Sequence, residues 1–210
     1  MPFSFVREMN MTICKRCGTC CEKGGPVLHE SDFSLVNEGK ILLREIYTIR
    51  IGELVWDTVK EELIHAPEEM IKMKGTDKKA ICIRYQKNAG CTKYEERPFQ
   101  CRILMCWDPT QAIENYTQNR LTRRQLIKDN PKWMEFITAH EEILSYERLH
   151  VQMKEMDGDS SKKLLLQTMQ KDFHFREVAK EYGVLSEIQD FLLGRPLSET
   201  IHMFRGGLQK

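Results

Sequence analysis

Eight cysteines in a chain of 210 residues all fall between positions 14 and 106, and the last 104 residues have none. Four of them, Cys14, Cys17, Cys20 and Cys21, are written C-K-R-C-G-T-C-C; the others are Cys82, Cys91, Cys101 and Cys106. Thiols are seldom crowded together in this way without a reactive or ligating role. A disulfide framework suits small secreted chains. This one is long enough to bury a core without cross-links, and its first residues, MPFSFVREMNMTICKRC, contain no uninterrupted apolar stretch of a secretory signal. A metal site fits best. Two residues between cysteines let the chain turn so that both sulfurs face one ion, with backbone N–H groups left to point at the thiolates. Cys21 must diverge from its neighbour Cys20 and serve a second ion or a bridge. Eight thiolates divide into two four-sulfur sites, and Cys82, Cys91, Cys101 and Cys106 must then fold back onto the N-terminal loop.

A filled four-thiolate site is net negative. Lys15, Arg16, Arg84, Lys93, Arg97 and Arg102 lie within a few residues of the sulfurs and can offset that charge or donate to sulfur, although Lys93 reads best as a solvated surface cation. Zinc and iron both accept thiolate tetrahedra, so ligand type does not choose between them. C-x2-C-x2-C has the spacing of bacterial ferredoxin loops but lacks their fourth Cys followed by Pro. There is no C-x3-C-x2-C of a radical-SAM cluster and no Cys–His–Asn arrangement that would make Cys20 or Cys21 a nucleophile.

The downstream segment reads Cys91-x-x-Tyr94-x-x-Arg97-Pro98-x-x-Cys101-Arg102. Together with C-x2-C-x2-C-C it resembles the CxxCxxCC zinc- or iron-chelating family, also called YkgJ-type cysteine-cluster proteins, over about residues 12–108. The resemblance implies metal chelation and matches Cys82 to the cysteine that precedes the second motif. Cys106 has no counterpart in the common pattern. Flagellin lysine N-methylases carry a similar cluster, although no SAM-binding glycine motif is present here. In physical terms, Pro98 fixes a turn, Arg97 is a fork of donors, and Tyr94 can cover one side of the site. Arg97, Tyr94 and Arg102 are therefore the candidate cofactor-binding residues, and the eight cysteines the candidate ligands of a 4Fe-4S type cluster or zinc. No catalytic residue is assigned.

The expected fold is α+β: a cysteine-cluster module of short strands and helices over residues 1–110, with a helical extension over 111–210 packed on it. Ser31 and Asp32 cap a short helix through Gly39. Residues 47–51 and 80–83 suit strands, and Gly24-Gly25-Pro26 and residues 74–79 suit loops. Asn130-Pro131 starts a helix. Phe136, Ala139, Ile143, Tyr146, Leu149, Met153 and Met156 then recur at steps of three and four, a core-facing stripe that ends at Asp157-Gly158. Helices follow over about 162–182, 185–193 and 198–204.

Three E-x-x-H pairs, Glu62/His65, Glu147/His150 and Glu199/His202, raise the alternative of a di-metal carboxylate site on helices. Ordinary helix-surface Glu–His pairs explain them as well. His29, near the cluster loop, is a candidate substitute ligand, but it reads best as a surface histidine. Lys and Arg balance Asp and Glu in both parts of the chain, 17 to 16 over residues 1–110 and 15 to 15 over 111–210, so no nucleic-acid or anionic-membrane footprint is indicated. The longest apolar run in the middle of the chain, residues 103–107, is far short of a membrane span. The expected compartment is the cytoplasm. The leading function is a metal-binding redox or accessory protein. The alternatives are a structural zinc module whose helical half presents a protein-binding surface, and a metal-dependent modifying enzyme like the flagellin methylases.

Overall fold

A computed structural model of the protein describes residues 14–76, 80–156 and 158–200. The N-terminal signal reading, the end of the 74–79 loop, Asp157, His202 and Phe204 lie outside the described residues. The class is α+β, with short antiparallel strand pairs followed by a helical C-terminal half.

The chain enters through a one-turn helix, α1 (Thr19–Glu22), and a second short helix, α2 (Phe33–Asn37). Ser31 and Asp32 do not cap α2 in the expected way. The Asp32 carboxylate reaches back to the His29 N–H at 3.0 Å and closes a tight turn over Glu30–Asp32. Residues with inward-facing apolar groups then form β1 (Ile46–Ile49), paired antiparallel with β4 (Met70–Met73) so that Ile46 opposes Met73 and Ile49 opposes Met70. Between them lies the hairpin of β2 (Leu54–Asp57) and β3 (Glu62–His65). Asp57 sets its turn by accepting the N–H groups of Val59 and Lys60 at 2.9 and 3.0 Å. The third pair is β5 (Tyr85–Gln86) with β6 (Gly90–Cys91). Residues 80–83 are not the expected strand. Cys82 makes a single bridge to Gly75, because its N–H is taken by the Cys21 carbonyl at 2.8 Å.

Two short helices, α3 (Phe99–Ile103) and α4 (Thr110–Glu114), lead into α5 (Arg123–Ile127), capped by Thr122 and Gln125. Asn130 opens α6 (Pro131–Ile143) as expected, accepting the Trp133 N–H at 3.2 Å. The continuous stripe through Met156 is corrected. The helix ends at Ile143 and restarts as α7 (Tyr146–Lys154), with Ser145 accepting the Arg148 N–H. Arg50 takes the freed carbonyl of Leu144, and Ile143 and Met156 end up exposed. The remaining helices are α8 (Gly158–Glu181), α9 (Gln189–Leu193) and α10 (Leu197–Thr200). No helix among the described residues is long and apolar enough to cross a membrane.

One core serves both halves. Leu28, Ile41, Ile46, Ile71 and Met73 pack with Leu121, Ile137, Phe191, Leu192 and Leu193. Buried ion pairs cross the same boundary. Arg50 of the β1–β2 turn meets Glu141 of α6, Arg123 of α5 meets Glu69 and Glu141, and Arg195 meets Glu53. The β1–β4 pair is therefore held by helices more than fifty residues away in sequence.

Two histidines depart from expectation. His29 is 3% exposed, its Nδ1 donating to the Gln118 carbonyl at 2.8 Å and its ring against Phe99, because residues 28–30 pair with 119–121 and close over it. Glu62 and His65 lie on β3, not on a helix, so a spacing of three sends their side chains to opposite faces. That removes one E-x-x-H pair from a di-metal bundle. Glu147 and His150 do share α7, where the His150 ring meets the His65 ring edge-on at 4.3 Å.

His140 supplies a pH-dependent stability. It is fully buried on α6, and its Nε2–H donates to Asp172 at 3.2 Å. Burial pushes the imidazole down to about 4, against the pull of Asp172. Burial alone would raise the Asp172 carboxyl, but the His140 hydrogen bond, Arg176 and the Leu197 N–H hold it at about 2. In the unfolded chain His140 binds its proton near 6.5, so its stabilisation is complete above that pH and is lost as pH falls towards 4. A shift of this size is worth about 3 kcal/mol. The His140→Gln variant should lose less stability than the parent between pH 6.5 and 4, by urea titration at each pH. Parallel pH profiles for the two proteins would show that His140 is not buried neutral.

Candidate metal centre

The first cysteine loop is shaped by backbone sign. Arg16 and Gly18 both adopt left-handed conformations, with φ of 56° and 86°. The Arg16 turn brings its own N–H to Cys14 Sγ at 3.4 Å, the N–H to sulfur contact of a thiolate-ligating loop. Thr19 Oγ1 lies 3.4 Å from Cys17 Sγ. Glycine is required at 18 by packing as well: a Cβ there would sit 2.3 Å from the Tyr85 ring. The loop and the β5–β6 hairpin are thus fitted face to face.

The hairpin holds Cys82 and Cys91 together. Tyr85 N–H bonds to the Cys82 carbonyl at 2.9 Å, and Tyr85 stands opposite Cys91 in the ladder. Cys101 rides on α3, whose first N–H, from Phe99, is accepted by buried Asp32 at 2.7 Å. Gln100 docks the same helix by accepting the Val27 N–H at 2.7 Å. Asp32 and Gln100 therefore set where Cys101 lies, although neither touches sulfur.

All eight cysteines line one cavity of about 110 Å³. None of them forms a disulfide. Lys15, Arg16, Arg84, Lys93, Tyr94 and Arg97 also line it. Tyr94 is stacked between two guanidinium groups, Arg97 at 3.6 Å and Arg16 at 3.8 Å from its ring centre. Arg97 also donates to the Tyr94 carbonyl at 2.8 Å. Arg102 turns away from the sulfurs, donating to the Arg97 carbonyl at 2.7 Å with its other nitrogen 3.8 Å from Asp32. Arg84 splits its charge between the cavity and Glu45, 2.7 Å away. Lys93 pairs with Glu96 at the exposed rim.

The thiols are electrostatically unequal. The adjacent Cys21 thiol, with help from Arg97, holds Cys20 down to about 6, and the same contact and burial push Cys21 up. Burial and the neighbouring thiols Cys82, Cys20 and Cys91 push Cys101 up to about 12. Burial raises Cys82 and Cys106, whereas the hydrogen bonds from Thr19 lower Cys17. Thiolate ligands must lose their protons to bind, so a metal entering this site would release protons, most of all from the thiols held protonated by burial. Among the described residues no three His, Cys, Asp or Glu side chains already converge as a ligand set. The sulfurs ring a shared space, and closing on an ion requires side-chain rotation together with proton release. The donor chemistry, eight thiols ringed by cations, fits zinc or an iron–sulfur group.

Lys72 is the residue that spacing alone does not reveal. It lies on β4 within electrostatic reach of Cys82 and Cys101, and burial lowers its pKa. The signal in the sequence is a lone lysine between Ile71 and Met73 in an apolar strand.

Arg97→Ala should leave the metal content unchanged but shift the visible spectrum or the reduction potential, because the guanidinium borders Cys20 and Cys101. An unchanged spectrum and potential would reduce Arg97 to a packing residue for Tyr94.

Residues 13–123 match the family model described as "CxxCxxCC: Putative zinc- or iron-chelating domain". No curated protein and no solved structure matches the chain.

Proposed function

Because the chain belongs to the CxxCxxCC zinc- or iron-chelating family, we propose that it is a metal-binding protein carrying a cysteine-ligated iron–sulfur or zinc centre in a redox or metal-dependent accessory role. The observation that carries this reading is the lining of one cavity by all eight cysteines and five basic side chains. Three cysteines at two-residue intervals, with Cys21 in addition, exceed what a single zinc ribbon needs and favour a 4Fe-4S type cluster. Arg97 and Tyr94 act as the cover of the site, and Arg102 holds Arg97 from behind.

The test is anaerobic purification followed by absorption spectroscopy and analysis for iron, zinc and acid-labile sulfide. A broad band near ~400 nm with iron and sulfide supports the cluster. A colourless protein with stoichiometric zinc moves the assignment to a structural zinc module. Protein free of both metals overturns the reading.

The zinc alternative has its own observation. Leu166 and Phe173, seven residues apart on α8, are 61% and 65% exposed and share a face of the helix. An apolar face of this kind on the helical half, residues 111–210, would serve a protein partner. SAM binding or methyl transfer to a test protein would instead support a modifying enzyme like the flagellin methylases.

A further inference from the structure

Resting on the metal-binding reading, we propose that Arg84 is the hydrogen-bond partner of the thiolates in the loaded centre. Glu45, which lies outside the cavity lining, is the residue that positions it.

Six basic residues lie near the cysteines in sequence, and the fold buries one of them. Lys15, Arg16, Lys93 and Arg102 are exposed and Arg97 is half-buried, whereas the Arg84 side chain is 5% exposed. Its main chain is fixed between two cysteines. Arg84 sits in the turn that the Tyr85 N–H closes on the Cys82 carbonyl at 2.9 Å. Its own carbonyl accepts both the N–H and the hydroxyl of Thr92, the residue after Cys91, at 2.9 and 3.0 Å.

The guanidinium is fixed as well. Nε and Nη2 donate to the two carboxylate oxygens of Glu45 at 3.2 and 2.7 Å, a bidentate fork, and Nη2 also donates to the Lys40 carbonyl. Glu45 is itself anchored. Its carboxylate accepts the Leu42 N–H at 2.8 Å, and its carbonyl accepts the N–H of Lys74 at 2.8 Å. Glu45 directly precedes β1 and Lys74 directly follows β4, so the strut that holds Arg84 stands on the β1–β4 pair.

The remaining nitrogen, Nη1, is buried and has no partner among the described residues. A buried N–H without an acceptor is costly, and native folds seldom keep one without a use. Arg84 lines the cavity of the eight cysteines, and no Asp or Glu among the described residues lines it. The acceptors there are sulfurs. A thiol accepts weakly, whereas a thiolate takes a charge-assisted bond. Metal binding deprotonates the cysteines and so creates the acceptor that Nη1 lacks. Only a fork of donors can hold Glu45 and Lys40 with one edge and serve the cavity with the other end, which a lysine cannot do.

The experiment loads the full-length reduced protein with cobalt(II), whose thiolate complexes are coloured, and measures affinity by competition with a chelator. Arg84→Met should weaken binding about 10–100-fold, the usual scale for loss of an outer-shell partner. It should also move the sulfur-to-cobalt charge-transfer band to lower energy, because a sulfur relieved of a hydrogen bond gives up its electrons more readily. Arg84→Lys should lose nearly as much. Glu45→Gln should shift affinity and band in the same direction by a smaller factor. Lys93→Met, which removes an exposed lining cation, should cost several-fold less than Arg84→Met. If Arg84→Met fails to fold, Arg84→Lys and Glu45→Gln still decide the question. Unchanged affinity and band in either Arg84 variant, or an equal loss in Lys93→Met, overturns the role of Arg84 while metal binding stands. An unmoved band in Glu45→Gln overturns the positioning role of Glu45. A parent protein that binds no cobalt overturns the proposal, and the iron, zinc and sulfide analysis then decides the metal-binding reading by itself.

Discussion

Chelating the metal from the reduced protein is expected to expose the backbone of residues 14–24 and 82–107 to amide exchange, while residues 27–73 and 121–197 stay protected. The elements around the sulfurs cannot hold themselves. α1 is four residues long, α3 five, and β5 and β6 two each, all below the length at which a helix or hairpin is stable alone. The β1–β4 pair, by contrast, belongs to the core shared with α9 and to the buried ion pairs of Arg50 and Arg123. Structural thiolate zinc sites supply about 10–16 kcal/mol of apparent binding free energy, so their loss is felt first where nothing else stabilises the chain. Exchange in the cysteine loops should rise by roughly a hundredfold, equivalent to about 3 kcal/mol of local opening free energy. Mass spectrometry of exchanged peptides reads this directly. Protection lost uniformly over the chain would show that the metal holds the whole fold, and protection lost nowhere would show that the loops are self-supporting.

The second large effect concerns Glu141. Arg50 is fully buried, and Glu141 is the carboxylate it pairs with, both oxygens lying 3.0 Å from Nε. Its guanidinium also donates to the Leu144 carbonyl and lies over the Tyr146 ring. Glu141→Ala leaves that guanidinium charged in the interior, which costs about 3–5 kcal/mol. For a chain of this length the expected fall in Tm is roughly 6–20 °C. Arg123 loses the same partner but retains Glu69 at 2.6 Å. Removing both charges, as in Arg50→Met with Glu141→Leu, should recover at least about half of the loss, because the desolvation cost disappears with the pair. Thermal and urea unfolding of the three proteins decide it. A single variant within about 1 kcal/mol of the parent would mean that water reaches Arg50.

What local rules govern was legible. The C-x2-C-x2-C-C loop and the C-x2-Y-x2-R-P-x2-C-R segment together carry the resemblance to the CxxCxxCC family, and the family match covers the same region. Asn130 and Pro131 announce α6, because a cap depends only on side chains a few positions away. The α+β class followed from the contrast between short alternating runs and the long periodic tail. Failures begin where a distant residue competes with a local preference. The stripe through Met156 reads as one helix until Arg50, some ninety positions upstream, takes the Leu144 carbonyl and Ser145 starts a new turn.

The same division applies to the site. Residue type and spacing by themselves determined that the N-terminal half is a cysteine-cluster chain and that its tail is helical, since thiolate spacing and helical period are properties of neighbouring positions. Tertiary structure alone decided that all eight sulfurs share one cavity, that Arg102 faces Asp32 instead of sulfur, that His29 is buried, and that Lys72 comes within electrostatic reach of Cys82 and Cys101. The physical reason is that burial of the common apolar core sets which distant segments meet. Side chains carried on those segments meet as a consequence, and no pattern along the chain records it.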